Sequence, residues 1–336
     1  MPTKLLKDNM KTRVVCAEQG LDEAVSLIKS GELVVFPTET VYGLGADALN
    51  PEAVKKIFEA KGRPQDNPLI VHIASVEQAR EIAREVPPEF YALAERFMPG
   101  PLTVVLEKSE AVPSVVTAGG HTVAIRMPRN EIARKLIALS SPVAAPSANR
   151  SKHVSPTTAE HVLYDLDGRV PLILDGGECG VGIESTVLDL TTDIPTVLRP
   201  GAVTADMISE VLGKVSSAGK IIGVAKSPGM KYEHYAPTVP AVAAFDEIKA
   251  FARYDEERQA GGNPVLIMRE RHRATAGGRS FISLGDTPEE CMQRVYAALR
   301  EAEKDYSFVI IEGLNGEGAE ASVMNRIMKS VGGRVL

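Results

Sequence analysis

Along the first two-thirds of the chain, short apolar runs alternate with stretches whose apolar residues recur at helical spacing. Leu33–Phe36 is a short β-rich run. Asn50-Pro51 reads as an N-cap with proline opening a helix; Val54, Ile57, Phe58 and Lys61 share one face, and Gly62 supplies a stop. Leu69–Ile73 predicts a second strand, and Ser75 with Gln78 reads as a capping box for a helix ending before Pro87-Pro88. Another helix spans 89–97, and strands follow near 102–107 and 122–126. Asn130 caps a helix to Leu139, strands return near 142–145, 171–174, 185–190 and 196–199, and Thr204 caps a helix ending near Gly213.

Residues 214–240 break this rhythm with three prolines and few periodic apolar positions. A connection of ~27 residues without an element is long enough to read as a linker or lid. A smaller unit follows. Val242–Phe245 and Val265–Met268 are strand-like around a helix near 247–259; Phe281–Leu284 and Phe308–Ile311 flank a helix near 288–304; a last helix covers 319–330. The expected organisation is α/β: a first unit over 1–213, a linker over 214–240 and a smaller α/β unit over 241–336, with mostly parallel sheets covered by helices.

Composition narrows the classes. The 336 residues carry 38 Lys+Arg against 44 Asp+Glu, a net charge of −6, which argues against a protein that mainly coats nucleic acid. Residues 1–212 alone are −7, and the densest basic run, Arg269, Arg271, His272 and Arg273, reads as a solvated loop. Cys16, Cys179 and Cys291 are widely separated and fit a reducing compartment. No apolar stretch approaches the ~20 residues of a membrane span, and the N-terminus lacks a signal-peptide core. A cytoplasmic location without membrane association is expected.

Most familiar chemical motifs are missing: no P-loop, no H-E-x-x-H, no G-x-S-x-G and no metal-ligand histidine spacing. Gly43-x-Gly45-x-x-Ala48 follows a strand, but the best helix start comes later, at Asn50-Pro51, so it reads as a glycine-rich strand exit. More informative are polar residues at the ends of apolar runs: Thr38-Glu39-Thr40, Lys61-Gly62-Arg63, Asp66-Asn67, His72, Arg126 and Ser147-Ala148-Asn149. Each has an ordinary explanation: Arg126 as a structural ion pair, His72 as a core histidine, Lys61 and Arg63 as helix-end cations, Ser147 and Asn149 as turn formers. Their joint occurrence beyond strand ends predicts one cleft of cations and hydroxyls, suited to a polyanion.

The run Phe36-Pro37-Thr38-Glu39-Thr40-Val41-Tyr42-Gly43 resembles the opening of the YrdC-like domain, and Lys61-x-Arg63 with Ser147-x-Asn149 resembles that family's K-x-R…S-x-N signature. Gly182-Ile183-Glu184-Ser185-Thr186, Leu198-Arg199-Pro200-Gly201 and Ser227-Pro228-Gly229-Met230-Lys231-Tyr232-x-His234-Tyr235-Ala236-Pro237 also fit. With a C-terminal α/β unit, the chain resembles the long, two-domain members of the threonylcarbamoyl-AMP synthase family. Met98 stands where the family often has Trp.

The resemblance implies a YrdC-like twisted, open mixed sheet followed by a smaller Rossmann-like unit. It also implies formation of threonylcarbamoyl-adenylate and pyrophosphate from L-threonine, bicarbonate and ATP, with Mg²⁺ accompanying ATP. The metal's ligands are not identified. The adenylate is then expected to pass to a tRNA threonylcarbamoyl-transferase complex, without stable tRNA binding here. By the same resemblance, Thr38, His72, Arg126, Ala145 and Ser185 form the threonine pocket. Arg63, Asn67, Thr122, Ser147, Ser155, Arg199 and Tyr235 form the ATP site. Lys61, Arg63, Ser147 and Asn149 carry the catalytic signature, Lys61 adding phosphate-facing charge and Asn149 bracing the serine loop or holding the metal. Residues 225–237 are expected to fold over the first unit as a lid, and the C-terminal unit to dock or stabilise. Two alternatives stand beside this reading: an RNA-binding module, and a carbamoyl-adenylate-forming maturation factor.

Overall fold

The computed structural model describes residues 10–217 and 235–336. The first unit begins with β1 (Arg13–Cys16), α1 (Leu21–Lys29), β2 (Val34–Phe36), β3 (Gly43–Asp47), α2 (Pro51–Lys61) and β4 (Ile70–His72). Next come α3 (Ala79–Ile82), α4 (Pro88–Phe97), β5 (Leu102–Glu107), β6 (Thr122–Arg126), α5 (Glu131–Leu139) and β7 (Val143–Ala144). It closes with α6 (Ala159–Leu166), β8 (Leu172–Asp175), β9 (Thr186–Asp189), β10 (Thr196–Arg199), α7 (Ala205–Leu212) and β11 (Ser216–Ser217). The second unit comprises β12 (Ala241–Ala244), α8 (Glu247–Gln259), β13 (Pro264–Met268), β14 (Phe281–Ser283), α9 (Pro288–Asp305), β15 (Phe308–Glu312) and α10 (Ala319–Ser330).

The expected signals explain many boundaries. Asn50 accepts from the backbone N–H groups of Glu52 and Ala53, a cap worth ~1 kcal/mol, and Gly62 ends α2 in the left-handed region at φ 60°. Asn130, Thr204 and Thr287 cap α5, α7 and α9 through their side chains. Ser75 does not behave as expected. It makes no cap hydrogen bond, and the Gln78 side chain accepts from Ala74 N instead. A single turn of helix ends at Ile82 because Ala83 turns extended and bridges Lys108, and Arg84 N donates to Glu107 O. Backbone pairing with the end of β5 wins over helix continuation.

The first sheet runs β1-β8-β2-β3-β7-β4-β6-β5-β9-β10-β11. It combines parallel and antiparallel steps, so it is a mixed sheet rather than the mostly parallel one that the alternation of elements implies. The second sheet, β12-β15-β13-β14, is wholly parallel. Gly43 and Gly45 lie inside β3, not in a strand exit and not at a helix start. A Cβ at Gly45 would sit 2.7 Å from the Phe36 ring and 2.8 Å from Val143, so glycine lets the ring lie against the strand.

Side-chain alternation divides the middle of the sheet. Val71, Val123, Ile125, Leu102, Val104 and Leu106 join the main apolar core. Ile70, His72, Ala124, Arg126, Thr103 and Val105 take the opposite face, where a small separate apolar cluster of Ile70, Val105, Ala124 and Val187 forms. That second face carries the cleft.

Candidate active site

Three successive antiparallel steps, β2 to β3, β3 to β7 and β7 to β4, make β2 and β4 run in opposite directions. The polar residues after β2 and at the end of β4 therefore do not share one carboxyl edge, as the strand-end argument expects. They meet because β7 has two residues and β2 and β4 three each, so the cleft crosses the sheet face within a few residues of either edge. The rings of Phe36 and His72 stand edge to face at 6.0 Å.

One cleft of about 720 Å³, its solvent mouth included, is lined by Thr38, Lys61, Arg63, His72, Arg126, Ser147, Asn149, Ser185, Arg199 and Tyr235 together with residues not singled out before. Register explains one end. His72 pairs with Arg126, Arg126 with Thr103, and Thr103 with Val187, so Ser185 and Arg199 arrive at the same place. Thr103 Oγ1 and Ser185 Oγ lie 2.7 Å apart, and Arg199 donates to Ser185 O at 3.0 Å and Oγ at 3.2 Å.

Arg126 meets Glu39 at 2.8 Å, with the side chains 5 % and 10 % exposed. Burial pushes the Glu39 carboxyl up, but the Arg126 charge and the N–H groups of Glu39 and Arg129 outweigh it and hold it below its ordinary value. Burial and then the Arg126 charge push His72 down to about 3, so its imidazole is neutral at pH 7, and Nδ1 makes no hydrogen bond to the described residues. Thr38 Oγ1 donates to Val41 O at 2.6 Å and accepts from the N–H groups of Thr40 and Val41, which fixes the turn beyond β2.

The K-x-R and S-x-N segments interlock. The Lys61 ammonium donates to Ser147 O and Asn149 O at 2.5 Å each, while Lys61 O accepts from Ser151 N. Lys61 is therefore a brace for the loop; burial, then Arg63, lowers its pKa well below the ordinary lysine value. Asn149 Oδ1 accepts from Ser147 Oγ at 2.6 Å, and Asn149 Nδ2 donates to Arg150 O and His153 O. Arg63 reaches Asn67 O at 3.1 Å. Asn67 is fully buried, and its amide makes no hydrogen bond to the described residues.

Ala145, Asn67, Thr122 and Ser155 stand off the lining. Ala145 is buried in the backbone preceding Ser147, and its N–H donates to Ile70 O. Thr122 opens β6 on the face of Arg126 but four residues away, ~13 Å at strand rise. Ser155 is buried and donates to Glu184 at 2.7 Å. Of the expected lid over 225–237, residues 225–234 lie outside the described residues. Tyr235 is buried and hydrogen-bonds Arg199, and burial raises its hydroxyl to about 12.

Sequence reasoning missed Glu39, Lys152, His153 and Glu184, which also belong to this region. Glu39 and Glu184 stand inside quoted motifs, so an acidic residue between polar neighbours was the available signal. Lys152 takes φ 76°, strained for a side chain, and its carbonyl accepts from Ala236 N. His153 Nδ1 lies 2.9 Å from Asp165. The basic run near 270 is not a free patch: Arg269 pairs with Glu312 and Glu320, Arg271 with Asp286 and Arg273 with Glu270. Among the described residues, no helix is long and apolar enough to cross a membrane.

A mixed sheet with a face-borne cleft of guanidinium and hydroxyl groups, followed by a second α/β unit that pairs with the first through Arg326–Glu184 and Arg300–Asp165, defines a two-unit class of small-molecule enzyme. Residues 26–201 match the Sua5/YciO/YrdC family model, described as telomere recombination, and residues 203–332 match the model described as threonylcarbamoyl-AMP synthase, C-terminal domain. The threonylcarbamoyl-AMP synthase of Pyrococcus abyssi is 48 % identical, covering 93 % of this chain and 94 % of its own; that of Bacillus subtilis is 45 % identical, covering 94 % and 93 %. A crystal structure of P. abyssi Sua5 complexed with L-threonine superposes with a TM-score of 0.90 at 44 % identity, over 97 % of this chain and 98 % of that one. The chain belongs to the threonylcarbamoyl-AMP synthase family.

Proposed function

We propose that this cleft joins L-threonine, bicarbonate and ATP into threonylcarbamoyl-adenylate and pyrophosphate. The observation that carries the reading is the convergence of Arg126, His72, Thr38 and Ser185 with Lys61, Arg63, Ser147, Arg199 and Tyr235 on one cleft. Arg126 forks the amino acid's carboxylate, exchanging part of its contact with Glu39. Neutral His72 offers a hydrogen-bond partner, and once the threonine ammonium has lost its proton to solvent, the amine adds to CO₂, or to bicarbonate with loss of water, to give a carbamate. A carbamate oxygen attacks the α-phosphorus, and pyrophosphate leaves. Arg63, Arg199 and the Ser147 loop hold the phosphates in line, and catalysis is positioning plus stabilisation of developing charge.

Mg²⁺ enters as part of the ATP substrate. Among the described residues no group of three His, Cys, Asp or Glu could hold a metal ion. The two carboxylates at the cleft, Glu39 and Glu184, are already committed to arginines. This donor set does not suit a protein-held Mg²⁺, and no step is assigned to one. The product is proposed to pass to a complex that transfers threonylcarbamoyl to tRNA adenosine, without stable tRNA binding here, since residues 1–212 are net acidic. The free cysteines support a cytoplasmic setting.

The test is pyrophosphate release under single omissions. Release that requires ATP, threonine and bicarbonate together is expected. Release that persists without threonine or bicarbonate, or none with all three, overturns the reading.

A further inference from the structure

We infer that Glu184 is a positioning residue through which the C-terminal unit sets the geometry of the nucleotide side of the cleft, Arg326 and Tyr296 being the groups that hold it. This rests on the assignment of Ser155, Arg199 and Tyr235 to ATP.

The Glu184 side chain is 9 % exposed, and three donors from the described residues hold its carboxylate. Ser155 Oγ donates to Oε1 at 2.7 Å; Tyr296 OH at 2.8 Å and Arg326 Nε at 3.0 Å donate to Oε2. Two of these three donors come from α9 and α10. Arg326, whose side chain is fully buried, also donates to Glu184 O at 3.2 Å and Pro200 O at 2.6 Å. One guanidinium thus ties the backbone before Ser185 to the backbone after Arg199. Tyr296 adds a stacked contact with Tyr235, ring centroids 5.3 Å apart. Ser155 and Tyr235 therefore touch the Glu184–Arg326–Tyr296 group directly, and Arg199 precedes Pro200, whose carbonyl accepts from Arg326.

A purely adhesive role does not account for this arrangement. A buried ion pair is a weak source of stability, because desolvating both charges offsets most of their attraction. Attachment of the two units is served by apolar burial, which joins Val154 and Ile183 to Val295 and Leu299 in one cluster, with Ser322 donating to Gly201 O. What the pair at Glu184 adds is direction. It fixes where the Ser155 hydroxyl points and how far the 184–185 and 199–201 segments stand apart. The carboxylate also sits among Arg326, Arg199 and Lys329, tempering the positive field at that wall.

The experiment uses the full-length chain with Tyr296→Phe, Arg326→Gln and Arg326→Lys. Binding of ATP and of threonine is measured separately at equilibrium, beside KM for each in pyrophosphate release and the melting temperature. Tyr296→Phe keeps the stack on Tyr235 and deletes one hydroxyl, so it should fold. It is expected to weaken ATP several-fold, as the loss of one charge-assisted hydrogen bond implies, with threonine nearly unchanged. Arg326→Gln should weaken ATP by roughly tenfold or more, and Arg326→Lys should restore part of that. Equal losses for both substrates, or lowered melting temperature with both affinities intact, overturn the inference. Because equilibrium ATP binding needs no turnover, a wild-type chain that binds ATP but releases no threonine-dependent pyrophosphate would count against the proposed reaction and leave this test standing.

Discussion

Arg126 Nη2 lies 2.8 Å from Glu39 Oε1, and the two residues come from β6 and the turn after β2, eighty-seven positions apart in the chain. The same guanidinium therefore serves as a buried structural ion pair and, in the proposed reaction, as the group that binds the threonine carboxylate. Replacing Arg126 by Met strands a buried carboxylate and should cost about 3 kcal/mol at neutral pH. Glu39 is depressed in the native protein, so its contribution is present above the ordinary carboxylate range and lost as pH falls through its folded value. The gap between wild type and variant should accordingly be widest at pH 7 and narrow below about pH 4.5, read from urea midpoints. Threonine affinity should fall much more than ATP affinity; equal losses would remove Arg126 from the amino-acid end.

His72 acts in the same direction, over a higher pH window. Burial and Arg126 push its pKa down to about 3, so the unfolded chain binds its proton first as pH falls below the ordinary histidine value near 6.5. Its neutral form is intact above that value, and stability is lost progressively toward pH 3. By pH 5 this amounts to about 2 kcal/mol. His72→Gln should flatten the stability curve between pH 6.5 and 5, and an unchanged slope would mean that His72 does not titrate as buried.

Ser147 and Asn149 act as one unit if the 2.6 Å hydrogen bond between them orients the serine. Ser147→Ala and Asn149→Ala should each lower pyrophosphate release, and the double variant should lose less than the sum. A coupling of about 1 kcal/mol is expected from a double-mutant cycle on kcat/KM. Strict additivity would separate the two residues.

Gly182 lies close against the backbone of α9 in the second unit. At φ 80°, a Cβ there would collide with the carbonyl of Gln293 and lie 2.6 Å from Met292 O, both backbone atoms of α9. Gly182→Ala should therefore lower stability by about 2 kcal/mol or more, seen as a lower melting temperature and faster proteolysis between the units. Unchanged melting would show that the α9 contact gives way cheaply.

Local signals in the chain were strong where one residue decides. Asn50 and Gly62 bound α2, Asn130 caps α5, and the limits of β5, β6, β10, α8 and α10 follow from apolar period and flanking polar residues. They were weak where a neighbour decides. β3 reads as an exit because Gly43 and Gly45 have poor strand propensity, yet the Phe36 ring requires them. β1, α1 and α6 were not seen; α1 starts at Gly20 without a side-chain cap, whereas Thr158 does cap α6 and was overlooked. In the cleft, Lys61, Arg63, Ser147 and Asn149 could be named from their motifs, but the direction of Lys61 toward two carbonyls could not, because it depends on a loop eighty-six residues away.

Residue order alone determined that this is a two-unit α/β chain carrying a set of cations and hydroxyls matched to a polyanion, since period, caps and charge are local properties. Tertiary structure decided that the first sheet is mixed, that the cleft lies on its face, that Glu39 pairs with Arg126, and that Glu184 pairs with Arg326 of the second unit. Those outcomes rest on strand register and on pairing between distant segments. Both arise only when desolvated charges must find partners in a packed chain.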